Sequence, residues 1–265
     1  MRRMRWLLCA LIIGGWAEGA AAADLPLLRG SNTFEVGAPF RWDGIYFGGQ
    51  FGAGVAGTDF VNTTGAISTM LSGAPFTSAS VAPFGTDDRP NTHFGGFIGY
   101  NTQWDGAILG VEGNYNHYNN TQMTSTDQLS GTYLANDGNI YPFTGTGTAT
   151  ARITDVGTFR VRGGWATGSF MPYAFVGVAV AHAELDRSAT VTLTPPLGSP
   201  AGAPLTISTS ETGQFTYGWT ACVGLDFALM NNIFIRAEYE YIQFGDFLGV
   251  NMHMQNARLG VAAKF

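Results

Sequence analysis

The sequence predicts an all-β fold, an eight-stranded antiparallel transmembrane β-barrel with short periplasmic turns and long extracellular loops. Three observations predict it. Eight segments alternate apolar and polar residues over lengths that can cross a bilayer, the connections between them alternate short and long, and the final fifteen residues alternate and end in Phe265.

The eight segments are 44–57, 91–103, 107–117, 149–166, 172–185, 214–229, 233–245 and 251–265. Each is near or above the ~9–11 residues that a tilted strand needs to span a membrane. The sixth alternates most clearly. Phe215, Tyr217, Trp219, Ala221, Val223, Leu225 and Phe227 share one face, with Thr216, Gly218, Thr220, Cys222, Gly224 and Asp226 opposite. In the seventh, Ile235, Ala237, Tyr239 and Tyr241 oppose Arg236, Glu238 and Glu240. A period of two over this length describes a strand and excludes an amphipathic helix. The fifth has small or apolar residues on both faces, so the sequence leaves its facing open. In the last, Phe265, Ala263, Val261, Leu259 and Ala257 oppose Lys264, Ala262, Gly260, Arg258 and Asn256. An aromatic end on an apolar face is the form of signal that barrel-assembly machinery reads, so Phe265, Val261 and Leu259 are expected to form it.

Residues 103–106, 167–171 and 229–232 are tight turns, whereas 58–90, 118–148 and 186–213 are long connections. This asymmetry is the pattern of bacterial outer-membrane barrels. The long connections are rich in Thr, Ser, Asn, Gly and Pro, and are expected to stay solvated and mobile. With an even strand count both ends of the barrel fall on the periplasmic side. Alternation alone also suits a soluble eight-stranded barrel with its apolar face inward. Terminal Phe265, the loop asymmetry and the aromatic residues near strand ends favour the membrane, where aromatics form interfacial girdles.

The beginning of the chain fits the same compartment. Arg2, Arg3 and Arg5 precede a short apolar stretch, and Ala20 to Ala23 supply small residues before Asp24. This reads as a cleaved secretory signal over 1–23. Residues 24–41 are then a periplasmic N-terminal segment, and 42–265 the barrel. Removing the signal takes away three Arg and Glu18, leaving ten basic against eighteen acidic residues. That balance argues against nucleic-acid binding. Cys222 alone remains, so no intramolecular disulfide is expected. Charged residues are 12% of the chain, against roughly 25% in soluble domains. The longest apolar run beyond the signal, Tyr173 to Ala181, is about half the length of a membrane helix.

Several stretches carry a family resemblance: Ala23-Asp24-Leu25-Pro26, Trp42 to Gly49, Gly95 to Asn101, Leu109 to Gly113 and Arg258 to Phe265. They resemble the small outer-membrane β-barrel proteins of Brucella, Bartonella and rhizobia, within the group that shares an OmpA-like transmembrane barrel. The resemblance implies surface antigens, envelope-stabilising proteins, porin-like proteins and, in some members, haemin binding at exposed loops. Ala263 departs from it, standing where the terminal signal often carries an aromatic. Because Phe265 ends the sequence, no periplasmic peptidoglycan-binding domain is expected.

The polar faces bring together Glu112, Arg160, Arg162, Asp226, Arg236, Glu238, Glu240 and Arg258. An eight-stranded barrel is wide enough only for side chains, so these groups are expected to pair and close the lumen. A narrow ion path is the alternative. Histidines 93, 117, 182 and 253 fall near strand ends without metal-motif spacing. No metal or cofactor is expected from the residues themselves. The resemblance alone implies haemin, with His117 and His253 beside Tyr118 or Tyr133 as the candidate contacts. His182, Glu184 and Ser188 are close in sequence but form no preorganised base and nucleophile, so an enzyme is not expected. The function expected is an outer-membrane structural and surface protein, displaying loops to an external ligand that the sequence does not identify. A small-solute channel and a haemin receptor are the alternatives. Expected partners are outer-membrane lipid, lipopolysaccharide and the assembly machinery, with the protein a monomer or weak oligomer.

Overall fold

The computed structural model describes residues 40–265, apart from 74, 120, 196–202 and 247. The predicted signal at 1–23, and all but the last two residues of the segment 24–41, lie outside the described residues. In chain order the elements are β1 (Gly44–Asp59), α1 (Thr63–Met70), β2 (Phe76–Val81), β3 (Thr86–Trp104), β4 (Ala107–Asn119), β5 (Gln122–Leu134), β6 (Ile140–Trp165), β7 (Phe170–Leu193), β8 (Leu205–Met230), β9 (Ile233–Phe244) and β10 (Asn251–Lys264).

Eight strands close a ring in the order β1-β3-β4-β6-β7-β8-β9-β10 and back to β1. All neighbours are antiparallel, and the ring strands contain the predicted segments, apart from single residues at three of their ends. Closure leaves no edge in hydrocarbon, where an unpaired backbone group costs several kcal/mol. The closing pair β1–β10 sets Gly52 against Arg258 and Phe51 against Leu259.

Facing follows the alternation. Phe51, Ile98, Phe159, Val178, Val223 and Val261 are exposed on the outer wall, while Thr220, Asp226 and Arg258 are buried inside. The strand that the sequence left ambiguous, β7, turns Met171, Tyr173, Phe175, Ala179 and Ala181 inward, and Val176 and Val178 outward. Trp104, Trp165, Phe170 and Phe265 are exposed at the end with the short turns, and Tyr115, Tyr217 and Trp219 towards the other. These are the two interfacial girdles of a membrane barrel. The turn joining β3 to β4 places Asp105 at φ 50°, a conformation tolerated by Asp more than by most residues.

The long connections depart from expectation. The described residues of 118–148 and 186–213 are largely sheet: β5 runs along the upper part of β6, β2 adds to β5, and β7 and β8 continue far above the girdle. Their Thr- and Ser-rich composition is one face of alternating strands. The other face supplies Met123, Leu129, Phe143, Ala149, Leu185 and Val191, all buried. The connection 58–90, with α1 and β2, adds Phe60, Ile67, Leu71, Phe76 and Phe84 to the same apolar cluster. That burial supplies the driving force which composition alone did not reveal. Register shifts at Ile153/Asp155 and Ala183/Leu185 mark where the ring opens into this extracellular sheet. A bulge raises local twist and redirects a strand.

Candidate functional site

All eight ionisable residues expected in the lumen are buried there and form one network. Arg236 reaches Glu112 at 2.7 Å and Asp226 at 2.9 Å. Asp226 also takes Arg162 at 2.8 Å. Arg160 bonds Glu112 and stands 3.2 Å from Glu240. Arg258 lies 2.9 Å from Glu238 and 3.0 Å from Glu240, close contacts that lack hydrogen-bond alignment. Four guanidinium groups thus meet four carboxylates, so the belt carries no net charge. Balance matters here because a buried charge left without a partner is strongly destabilising.

Sequence reasoning missed the neutral members of this belt. The Tyr46 hydroxyl donates to Glu112 at 2.9 Å, that of Tyr173 to Glu238 at 2.6 Å, and that of Thr220 to Glu240 at 2.8 Å. The Arg160 guanidinium lies 3.7 Å from the Phe175 ring centroid, Arg162 3.8 Å from Tyr173, and Arg236 4.2 Å from Phe97. Cation–π contact of this kind is strengthened by desolvation. The available signal was parity, since these residues share the inward face with the charges. Inward glycines make the room: a Cβ on Gly99 would collide with the Tyr46 hydroxyl, and one on Gly224 would stand 2.5 Å from the Tyr173 ring.

Apolar groups close the lumen on both sides of the belt. Below it, Trp42, Phe97, Ile108, Met171 and Phe234 form one cluster, and the Trp42 backbone N–H donates to Gln103 at 2.8 Å. Beside this end, Arg41 donates to Asp43 and holds its carboxyl below the ordinary carboxylate range. Above the belt, an amide group of Gln50, Asn114 and Asn116 gives way to Ile153, Ala181, Ile242, Met252 and Met254. The extracellular cap continues that cluster. Arg187 donates to the Leu248 carbonyl, tying the β7–β8 hairpin to the connection between β9 and β10.

The residues considered for haemin do not converge. Tyr118 is buried inside and its hydroxyl accepts from Asn256 at 3.0 Å. The Tyr133 hydroxyl donates to the Thr194 carbonyl at 2.9 Å. His117 faces outward on β4, 2.9 Å from Asp155, and His253 stacks on Tyr241 on the outer face of β10. In the ring, β3 and β1 separate these two strands. Adjacent positions on a strand point to opposite sides, which is why His117 and Tyr118 cannot share a site. His182 also faces outward, against Phe215, while His93 turns inward and packs against the Tyr118 ring at a tilt. Glu184 pairs at 3.9 Å with Arg152. Ser188 lies six residues beyond His182, roughly 20 Å along an extended strand.

A closed ring with an apolar outer wall and a charged interior is the arrangement that a lipid environment demands. The family model described as "Outer membrane protein beta-barrel domain" matches residues 41–265. The chain belongs to this family. Among curated outer-membrane β-barrel proteins, it is 25% identical over 231 residues to the 25 kDa outer-membrane immunogenic protein of Brucella ovis, covering 87% of this chain and 82% of that one. It is 26% identical over 287 residues to the 31 kDa outer-membrane immunogenic protein of Brucella melitensis, covering 99% and 100%. The N-terminal β-barrel domain of Pseudomonas aeruginosa OprF aligns over 84% of this chain and 98% of its own, at 14% identity and a TM-score of 0.38. The protein is thus an integral outer-membrane barrel of a Gram-negative envelope. Its outer wall contacts membrane lipid and its long connections stand at the surface.

Proposed function

We propose that this outer-membrane barrel is a closed scaffold, which stabilises the envelope and holds a rigid extracellular sheet in place for external contacts, without solute flow or catalytic turnover. The charge-balanced belt between two apolar clusters carries this reading. An ion entering the lumen would have to displace paired guanidinium and carboxylate groups in a low-dielectric interior, where such pairs are hard to break.

Lipopolysaccharide is the partner proposed around the outer wall, and the assembly machinery the partner during insertion. Outward Leu259 and Val261, with Phe265 stacked on Phe47 at 5.5 Å between centroids, support the terminal strand as the assembly signal. His117 and Asp155 form a histidine–carboxylate pair, but the hydroxyl on that carboxylate belongs to Tyr115, at 2.6 Å. Nothing in that grouping favours a nucleophile.

Planar-bilayer recording of the refolded protein tests the closed scaffold. It should show no stable conductance steps; large, long-lived steps would replace it with the channel reading. A haem titration with no Soret shift is expected alongside, and a saturable shift would favour the haemin reading.

A further inference from the structure

The extracellular sheet carries an ordered array of hydroxyl groups on its outer face. Thr126, Thr148, Ser188 and Ser208 stand side by side on β5, β6, β7 and β8. Gln128, Thr146, Thr190 and Thr206 form the adjoining row on the same strands. Neighbouring strands are about 4.8 Å apart, and alternate residues on one strand about 6.6 Å, so the groups form a regular grid. Thr126 and Thr148 hydroxyls lie 3.1 Å apart, and those of Thr190 and Thr206 3.0 Å. A hydroxyl offers one donor and two acceptor lone pairs, so each bonded pair still has hydrogen-bonding capacity facing solvent. One end of the grid deepens into a trough of about 540 Å³, lined in part by Ser80, Ser130, Thr144 and Thr192.

The placement of this face gives it a partner. On β6 the outward side changes in order from Trp165, Val161 and Phe159 to Asp155 and Arg152, then to Thr150, Thr148, Thr146 and Thr144. That is lipid-facing wall, then a charged step, then neutral hydroxyls. An outer-leaflet glycolipid presents acyl chains, phosphates and sugars in that order, and exposed Arg152 is the cation of the step that a phosphate can meet. From this continuity with the lipid interface we infer that the grid is a docking surface for the uncharged polysaccharide of neighbouring lipopolysaccharide. The inference rests on the outer-membrane reading and deepens its partner. The two rows carry no charged side chain, so a neutral chain meets no repulsion in an otherwise acidic protein. A protein partner is disfavoured because stable protein interfaces centre on aromatic and apolar anchors, and these rows contain none. Single hydroxyl contacts are weak, but repeated ones along a polymer add through effective concentration.

The test uses the full-length chain refolded in nanodiscs. Its probes are smooth lipopolysaccharide with an uncharged O-polysaccharide and deep-rough lipopolysaccharide lacking it. Binding should favour the smooth form at least fivefold, and free O-polysaccharide released by mild acid should compete. The T146V/T148V/T190V variant keeps side-chain shape and strand preference but removes the hydroxyls, and should abolish that preference. Equal binding of the two forms, failure of the free polysaccharide to compete, or an unchanged preference in the variant would each overturn the inference. So would self-association of the protein that the variant abolishes, since the occupant would then be a second copy. Competition on the unmodified protein decides the matter even where the variant folds poorly. Deep-rough binding reports on the lipid-facing wall and conductance on the closed scaffold, so the readings fail independently.

Discussion

Substituting Arg258 by Met removes one positive charge from a belt in which four positive and four negative groups balance. Glu238 loses its 2.9 Å contact but retains Arg236 at 3.5 Å and Arg160 at 3.6 Å, and still accepts from Tyr173. Glu240 retains Arg160 at 3.2 Å and Thr220 at 2.8 Å. Removing one partner of a buried pair costs about 3–5 kcal/mol. Because both carboxylates keep other donors, the lower end applies, about 3 kcal/mol, or roughly a hundredfold in the folding equilibrium. R258M/E240Q removes one charge of each sign and should return to within about 1 kcal/mol of the unmodified protein, as balanced replacement of buried ion pairs is often neutral. Reversible denaturant unfolding in detergent micelles, followed by tryptophan fluorescence, measures both variants. The reasoning fails if R258M unfolds with the unmodified protein, or if the double variant is as unstable as the single one. A mere change of ion selectivity in R258M, with stability intact, would identify an open conduction path instead.

Three further outcomes follow from packing and hydrogen bonding. Gly99→Val puts a branched side chain where even a Cβ would collide with the Tyr46 hydroxyl; overpacking of about 1–3 kcal/mol or more should slow or prevent refolding, read as loss of the heat-modifiable band on gels. Phe143→Ala empties a buried site in the extracellular cluster and should cost about 3–5 kcal/mol locally, exposing 60–90 to limited proteolysis while the membrane ring stays resistant. Asp137 accepts from the Asn139 amide and the Tyr141 hydroxyl, which hold its carboxyl below the usual 3.8. A depressed folded value stabilises above the unfolded pKa and is lost as pH falls through the folded one. Hydrogen exchange at the β5–β6 hairpin tip should therefore be unaffected by this group between pH 5 and 7 and rise only below about 3.8; D137N should remove that acid step.

Most of the barrel was legible because lipid imposes a strict two-sided code. In β8, each predicted outward residue from Phe215 to Leu225 stands away from the lumen, and Asp226 and Thr220 are buried. The eight charges were legible for the same reason. Their pairing was not, since register depends on turn and bulge geometry that composition does not reveal. Arg258 opposite Glu238 is one outcome of that register. The extracellular sheet was misread because Thr144-Gly145-Thr146-Gly147-Thr148-Ala149-Thr150 has loop composition while its alternation is that of a strand. Its inward small residues are buried only because Leu129, Ile67 and Phe84, distant in sequence, reach the space above Gly147. Parity also separates two of the residues named for haemin, since His117 and Tyr118 are neighbours on β4 and face opposite sides of the wall.

Strands β6, β7 and β8 run from the periplasmic turns into the extracellular sheet as hydrogen-bonded ladders, each interrupted by one register shift, at Ile153/Asp155 and at Ala183/Leu185. A pull on that tip acts along the strands, so the ladder bonds of each pair carry the load together in shear instead of opening singly. The protein therefore behaves mechanically as a mast stepped into the membrane: force applied outside the cell tilts or drags the whole barrel before it unravels the part that was gripped.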